Sequence, residues 1–462
     1  MSKSVKGIKY RAFYANSIDP LIPEHWAFES IRILEEEMVM GNLVHRDFNP
    51  IVASYGETIH TRKPSEFRAV RKTNSDNVTV QDVSATDVEV KLDQWVHVSF
   101  TIKDGEQTKA FKDLVGFYLE PAMMANARML DQSLASQAVQ FLGNVRGGFG
   151  SLSGSTAKDY LIDMDDLMNQ NKAYGVGRNL VLTSPSKASI LKADIFHQAD
   201  KRGDGGRALR EAELGRAFGF NTYLDLNTPR AVGGSKNATT TTTAAAVKGA
   251  TTVSLTATVL QGTYFTIAGD MTPLRCQSVS GAGPFIVTLT RPLPNAVASG
   301  AAVQAYTTAL VNFAAGYSAG YAKEITFDGS GVPSVGQIIS FNNTGGSAIR
   351  TPEYIVIQKP TSTTIVLDRP LETALADNDV ICLGPDGDLN FAFHKNALTL
   401  VNRPLAAPLP GAGARAAVAV HNNMAMRVVI TYDGNAQGHL VTLDGLFGVK
   451  VLDTNLGAVL LG

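Results

Sequence analysis

The sequence predicts an α+β chain of several units, with an all-β stretch set into a body that mixes helices and strands. Three patterns carry that expectation. From Pro121 to Gly143, the residues Met123, Ala127, Leu130, Leu134, Ala138 and Phe141 recur at steps of three and four, which places them on one face of a long helix. Val88, Val90, Leu92, Val96, Val98, Phe100 and Ile102 alternate with polar neighbours, interrupted only at Gln94, and a period of two is that of a strand. Residues 231–390 break into short apolar runs bounded by Gly, Pro, Asn and Asp, the punctuation of an all-β unit.

Composition narrows the function classes. At 462 residues the chain exceeds what one core supports. Its 41 Lys and Arg balance 42 Asp and Glu, against the large basic field of a dedicated nucleic-acid binder. Cys276 and Cys382 are the two cysteines, too few for a disulfide framework and suited to a reducing compartment. Lys3, Lys6 and Lys9 are followed by no apolar run, so no secretion signal is expected. No stretch approaches the 18 apolar residues of a membrane span. The expectation is a soluble, cytoplasmically made protein with no membrane partner.

In chain order, residues 1–50 form a polar tail and a short helix whose apolar side is Trp26, Ile31, Ile33, Leu34 and Met38, with Pro20 and Pro23 before it and Gly41 after it. Its run Glu35, Glu36, Glu37 reads as a solvated face. Residues 51–105 read as a projecting hairpin. Its legs are Glu57–Arg71 and Val88–Ile102, and its tip is Thr73–Asn77. A strand from Val88 to Ile102 would span roughly 50 Å, more than one domain needs. An exposed two-stranded arm is marginally stable alone, so a neighbouring subunit is expected beneath it. Arg62, Lys63, Arg68, Arg71 and Lys72 make this arm basic, and Asp163, Asp165 and Asp166 are the acidic surface on which it would dock. Solvated strand faces are the simpler alternative.

Residues 106–155 hold a spine helix (106–143) and a glycine-rich hinge, Gly143–Ser155. That hinge lacks the Gly-Lys-Ser/Thr of a phosphate loop. Residues 156–230 read as a compact α/β unit: a helix at Ala157–Asn171, a strand at Asn179–Thr183, a proline-started helix at Pro185–Leu191 and a strand at Ala217–Leu226. The aspartates Asp163, Asp165 and Asp166 are expected near the start of the first helix, favourable for its dipole. In residues 231–390, Gly233–Ala246 has the look of a linker. The rest contains an echo, Val287-Thr-Leu-Thr-Arg-Pro-Leu293 against Ile365-Val-Leu-Asp-Arg-Pro-Leu371, which reads as two copies of one β unit. In residues 391–462, Phe393–Arg403 is helix-compatible, and Arg415–Tyr432 and His439–Val451 read as paired strands around Asp433-Gly434.

No catalytic motif has credible spacing. There is no Gly-x-Ser-x-Gly, His-Glu-x-x-His or paired Cys-x-x-Cys, and no two of the eight histidines stand four apart. The expectation is no enzyme, no metal and no cofactor.

Several stretches carry a resemblance: Tyr174-Gly-Val-Gly-Arg-Asn-Leu-Val-Leu-Thr-Ser-Pro-Ser-Lys187, Asp204-Gly-Gly-Arg-Ala-Leu-Arg210, Gly215-Arg-Ala-Phe-Gly-Phe-Asn221, Phe393-His-Lys-Asn-Ala-Leu398 and Leu443-Asp-Gly-Leu-Phe-Gly-Val-Lys-Val-Leu452. With the order of parts, they resemble tailed-bacteriophage major capsid proteins of the Hong Kong 97-like fold, over roughly two thirds of the chain. The resemblance implies an N-terminal arm, an extended loop, a spine helix at 107–142, and axial and peripheral domains, with residues 231–390 placed where podovirus-type coats carry an inserted β domain. It implies a subunit that assembles with itself, as hexamers and pentamers, into an icosahedral head. That head would mature from a procapsid and enclose double-stranded DNA, touched non-specifically. Scaffolding and portal proteins are implied partners, the virion is the implied location, and the host cytoplasm the place of assembly. An encapsulin-like compartment shell, or a β-rich adhesin or decoration protein, stays open at this point.

Overall fold

A computed structural model describes residues 22–48, 53–63, 86–103, 118–197, 211–231, 236–346, 348–409 and 413–462, with isolated positions between 69 and 80. The chain opens with helices α1 (Ile22–Glu37) and α2 (Met40–Leu43). Trp26, Ile31, Ile33, Leu34 and Met38, the predicted apolar side of α1, are all buried. Strands β1 (Thr58–Lys63) and β2 (Thr86–Lys91) then pair antiparallel as a two-stranded ribbon, followed by β3 (Gln94–Lys103).

The expected strand from Val88 to Ile102 is therefore two strands. Leu92 is fully buried between them, its N–H bonded to the Glu57 carbonyl and its own carbonyl accepting from Gly56. The break falls beside Gln94, where the alternation fails, and it turns β3 into a different sheet.

The spine helix α3 spans Glu120–Ser136, has Pro121 in its first turn, and tightens into a 3-10 turn over Gln137–Phe141. Residues 104–117 of the predicted helix lie outside the described residues. Met123, Ala127, Leu130, Leu134, Ala138 and Phe141 are buried as the spacing predicts, but so are Asn126, Asp131, Ser133 and Gln137, leaving Arg128 exposed. The helix is covered on most sides rather than amphipathic, because α1, α2 and β3 all pack on it. Its buried Asp131, Ser133 and Ser136 find partners far away in sequence.

Beyond α3, β4 (Val145–Gly147), α4 (Ala157–Gln170), β5 (Arg178–Leu182), α5 (Ser184–Leu191), α6 (Asp194–His197), β6 (Arg216–Ala217), β7 (Phe220–Leu224) and β8 (Arg230–Ala231) follow. Helix α5 has Pro185 in its first turn and the Thr183 hydroxyl accepting from the Ser186 N–H, a satisfied N-cap. The single strand expected at Ala217–Leu226 is a tight hairpin of β6 and β7 turning at Phe218-Gly219, both at positive φ. The glycine-rich segment after α3 is packed, not a free hinge: β4 pairs with the last strand of the chain. A Cβ on Gly148 would lie 2.5 Å from the Asp270 carbonyl oxygen, and one on Gly147 2.7 Å from that of Leu461. These glycines allow close backbone approach.

Residues 236–383 form two β units with one topology. The first has β9 (Lys236–Thr241), β10 (Thr252–Leu255), β11 (Tyr264–Ile267), β12 (Leu274–Ser280), β13 (Phe285–Leu289) and β14 (Ala302–Tyr306), ordered β10-β13-β12-β11-β14-β9. The second has β15 (Thr308–Val311), β16 (Ile325–Asp328), β17 (Ile338–Asn342), β18 (Ile349–Thr361), β19 (Thr364–Leu367) and β20 (Val380–Leu383), closed into a barrel in the order β16-β19-β18-β17-β20-β15. Strand for strand the orders coincide, and single bonds coincide too. Gly249 donates to Leu293 in the first unit and Gly320 to Leu371 in the second; Ala246 bridges Val297 and Tyr317 bridges Leu375. The threonine run expected to be a linker belongs to β9, which pairs with β14.

The remaining strands are β21 (Gly387–His394), β22 (Leu398–Arg403), β23 (Ala414–His421), β24 (Met424–Asp433), β25 (Gly438–Val451) and β26 (Gly457–Leu461). Phe393–Arg403 is thus not a helix but the end of one strand, a 3-10 turn and another strand. The helical expectation fails because β22 is buried along its whole length and β21 at all but its two ends, so burial leaves no helical stripe. One sheet is ordered β4-β26-β21-β5-β7-β6, with β8 also on β21; a second is ordered β22-β25-β24-β23, with β3 on the other side of β25. Where one strand was expected over Arg415–Tyr432, β23 and β24 form a hairpin at Asn422-Asn423, both with positive φ, the backbone of a two-residue hairpin turn.

Candidate assembly surface

The arm's root is defined by alternation. Thr58 and His60 face one side of β1, while Asp87, Glu89 and Lys91 face the same side of β2. The opposite side carries Ile59 and Val90, which pack with Leu92, Val401, Leu405 and Leu446. Among the described residues this ribbon hydrogen-bonds to no third strand. Of the predicted basic residues, Arg71 and Lys72 are exposed. Arg62 and Lys63 lie on β1 with their side chains outside the described residues, and Arg68 lies outside them altogether.

The acidic residues prove unequal. They stand in the second and third turns of α4, past the reach of its N-terminal dipole. Asp165 is spent inside the chain: its carboxylate accepts from Arg178 at 2.6 Å and from the Asn169 amide at 3.0 Å. Arg178 is 3% exposed and also donates to the carbonyls of Ala173 and Tyr174 and to the Asn169 side chain. A buried guanidinium needs such a partner, so Asp165, its side chain 35% exposed, is already engaged within the chain. Asp163 and Asp166 remain exposed, with Asp166 accepting from Gln170. Asp163 lines an open cleft of about 630 Å³ with Arg146, Tyr160, Lys248 and Asp270.

Sequence reasoning missed the joint that ties the β units to the spine. The Ser133 hydroxyl donates to Gln94 and to the Asp368 carbonyl, and the Ser136 hydroxyl donates to the Asp368 carboxylate at 2.9 Å. Arg369 pairs with Asp368, and Arg291 pairs with Glu353 and donates to the Val139 carbonyl. Burial alone would push the Glu353 carboxyl up, but Arg291, helped by Arg275 and the Tyr264 hydroxyl, holds it below the usual range. The signal was present: Arg291 and Arg369 are the arginines of the echoed Arg-Pro-Leu triplets. On the other flank of α3, Asp131 accepts from the N–H groups of Val39 and Gly41. Burial, and then the nearby Asp225 carboxylate, push its pKa up to about 7. Both cysteines are free and buried, and burial raises the Cys276 thiol to about 12 and the Cys382 thiol to about 11.

By fold, the chain is a mixed helix-and-strand protein whose candidate surface is made of an arm and exposed carboxylates. No family model matches the sequence, and no curated protein does. Among solved structures it is similar to one described as Mycobacterium phage Che8, at 13% identity and TM-score 0.44, covering 92% of this chain and 90% of that one. It is also similar to the capsid structure of cyanophage P-SCSP1u, at 10% identity and TM-score 0.42, covering 88% and 84%. A third is the asymmetric unit of the bacteriophage PhiM1 mature capsid, at 8% identity and TM-score 0.38, covering 87% and 81%. No helix among the described residues is long and apolar enough to cross a membrane.

Proposed function

We propose that this chain is the major coat subunit of a tailed-phage head, a structural protein rather than an enzyme. One observation carries the reading: among the described residues, the β1–β2 ribbon hydrogen-bonds to no third strand. Two strands alone are marginal in water, and Val70, Val78 and Val80 along the arm are 54%, 74% and 86% exposed. A neighbouring copy supplies the missing surface.

In this reading the fold is the podovirus-type Hong Kong 97-like one. Residues 1–50 and 51–105 are arm and extended loop, 106–155 the spine, 156–230 the axial domain, and 391–462 the return to axial and peripheral domains. Residues 231–390 are an inserted all-β domain, its two units descended from one. Copies assemble as hexamers and pentamers into an icosahedral shell in the host cytoplasm, with scaffolding and portal proteins, and the shell matures around double-stranded DNA. Each interface buries about 1,200–2,000 Å², and charge pairs set orientation more than affinity. Arg62, Lys63, Arg68, Arg71 and Lys72 of the arm face Asp163 and Asp166 of the neighbour.

Electron microscopy of the purified chain tests this. Closed shells are expected of the unaltered protein. D163K/D166K should block closure, and the further reversal R71E/K72E should restore it. A solitary molecule under every assembly condition overturns the reading; shells indifferent to the reversals overturn the charge pairing alone.

A further inference from the structure

We infer that the root of the arm carries a divalent transition-metal site formed by His60, Asp87 and Glu89. The ladder sets His60 directly opposite Glu89, and Asp87 lies two residues from Glu89 on the same strand, hence on the same face. The His60 Nδ1 stands 2.6 Å from an Asp87 carboxylate oxygen, and one ligand atom from each of the three lies within 4.8 Å of the others. The opposite face is seated: Val90 is fully buried and Ile59 packs on the apolar cluster at the arm's base. The ribbon cannot roll, so the three side chains are presented to solvent together.

One imidazole nitrogen and two carboxylate oxygens form a mixed donor set. It fits zinc, cobalt or nickel better than calcium or magnesium, which take oxygen donors. Bonds of about 2.0–2.2 Å to such an ion need only small rotations of exposed side chains. The set leaves a coordination position for water or for a side chain of a neighbouring copy. A bound ion cross-links β1 to β2 below the tip and stiffens the arm where it leaves the body.

The test is calorimetric titration of the full chain, stripped with chelator, with zinc, and titration with cobalt followed by its visible absorption. The expected result is one saturable ion per chain, bound about tenfold or more weakly by H60A and E89Q. The altered side chains are on an exposed face, so the variants should keep the melting temperature of the parent. Absence of saturable zinc binding, or binding that H60A and E89Q leave unchanged, overturns the assignment.

Discussion

Replacing Asp131 by asparagine should alter the pH dependence of stability more than stability itself. The carboxyl is fully buried on α3, where it accepts from the Val39 N–H at 2.7 Å and the Gly41 N–H at 3.1 Å. Burial and the charge of Asp225 outweigh those bonds and raise it from an ordinary 3.8 to about 7. A carboxyl raised in the folded state holds a proton that the unfolded chain has already released. Its contribution to stability is therefore complete below about pH 4 and is lost as pH climbs to about 7. At 1.36 kcal/mol per pH unit, that span is worth about 4 kcal/mol. Asparagine carries no charge and removes this slope, at the expense of one acceptor worth about 1–3 kcal/mol. D131N should be less stable than the parent near pH 4.5 and at least as stable near pH 8. Urea unfolding followed by tryptophan fluorescence at both pH values reads the difference, since Trp26 lies on the adjoining α1. Parent and variant curves that stay parallel from acid to alkaline conditions would refute the buried-charge account.

Two further outcomes follow from close contacts. Gly148→Ala places a Cβ 2.5 Å from a backbone oxygen, whereas Gly143 has nothing within 4 Å of where its Cβ would be. G148A should lower the melting temperature by the equivalent of about 2 kcal/mol or more, and G143A should leave it nearly unchanged; equal melting points would show that the segment is loose after all. Ser136→Ala and Asp368→Ala should each destabilise by about 1–3 kcal/mol, and the double variant by clearly less than their sum. Additive losses in a double-mutant cycle would mean that the two side chains do not act together.

How much the sequence disclosed depended on where each group's partner lies. The apolar stripe of α3 needs no partner to be recognised, since spacing alone defines it. The burial of Asp131, Ser133 and Ser136 is not legible from spacing, because their partners, at 39–41, 94 and 368, are far along the chain. The echo of the two β units was visible for the opposite reason, since strand and turn residues recur inside each copy. Buried strands were the blind spot. Within Phe393–Arg403, the strand Leu398–Arg403 has both faces covered, so burial imposes neither a period of two nor of 3.6 on it. The threonine run resembled low complexity, yet its β-branched side chains suit β9. At the candidate surface, charge was legible but its use was not: nothing in the spacing of Asp163, Asp165 and Asp166 marks which one faces Arg178.

The place where the chain leaves for the paired β units and the place where it returns are neighbours in one ladder: Arg230 lies opposite Asp388 and Ala231 opposite Gly387. Exit and re-entry are thus a strand's width apart, about 5 Å. To the surrounding body, everything in between amounts to a detour with a fixed doorway. Lengthening, doubling or exchanging that detour adds little closure entropy, provided the new occupant also begins and ends side by side. A single gateway of this kind lets elaboration accumulate at one address while the rest of the molecule keeps its register.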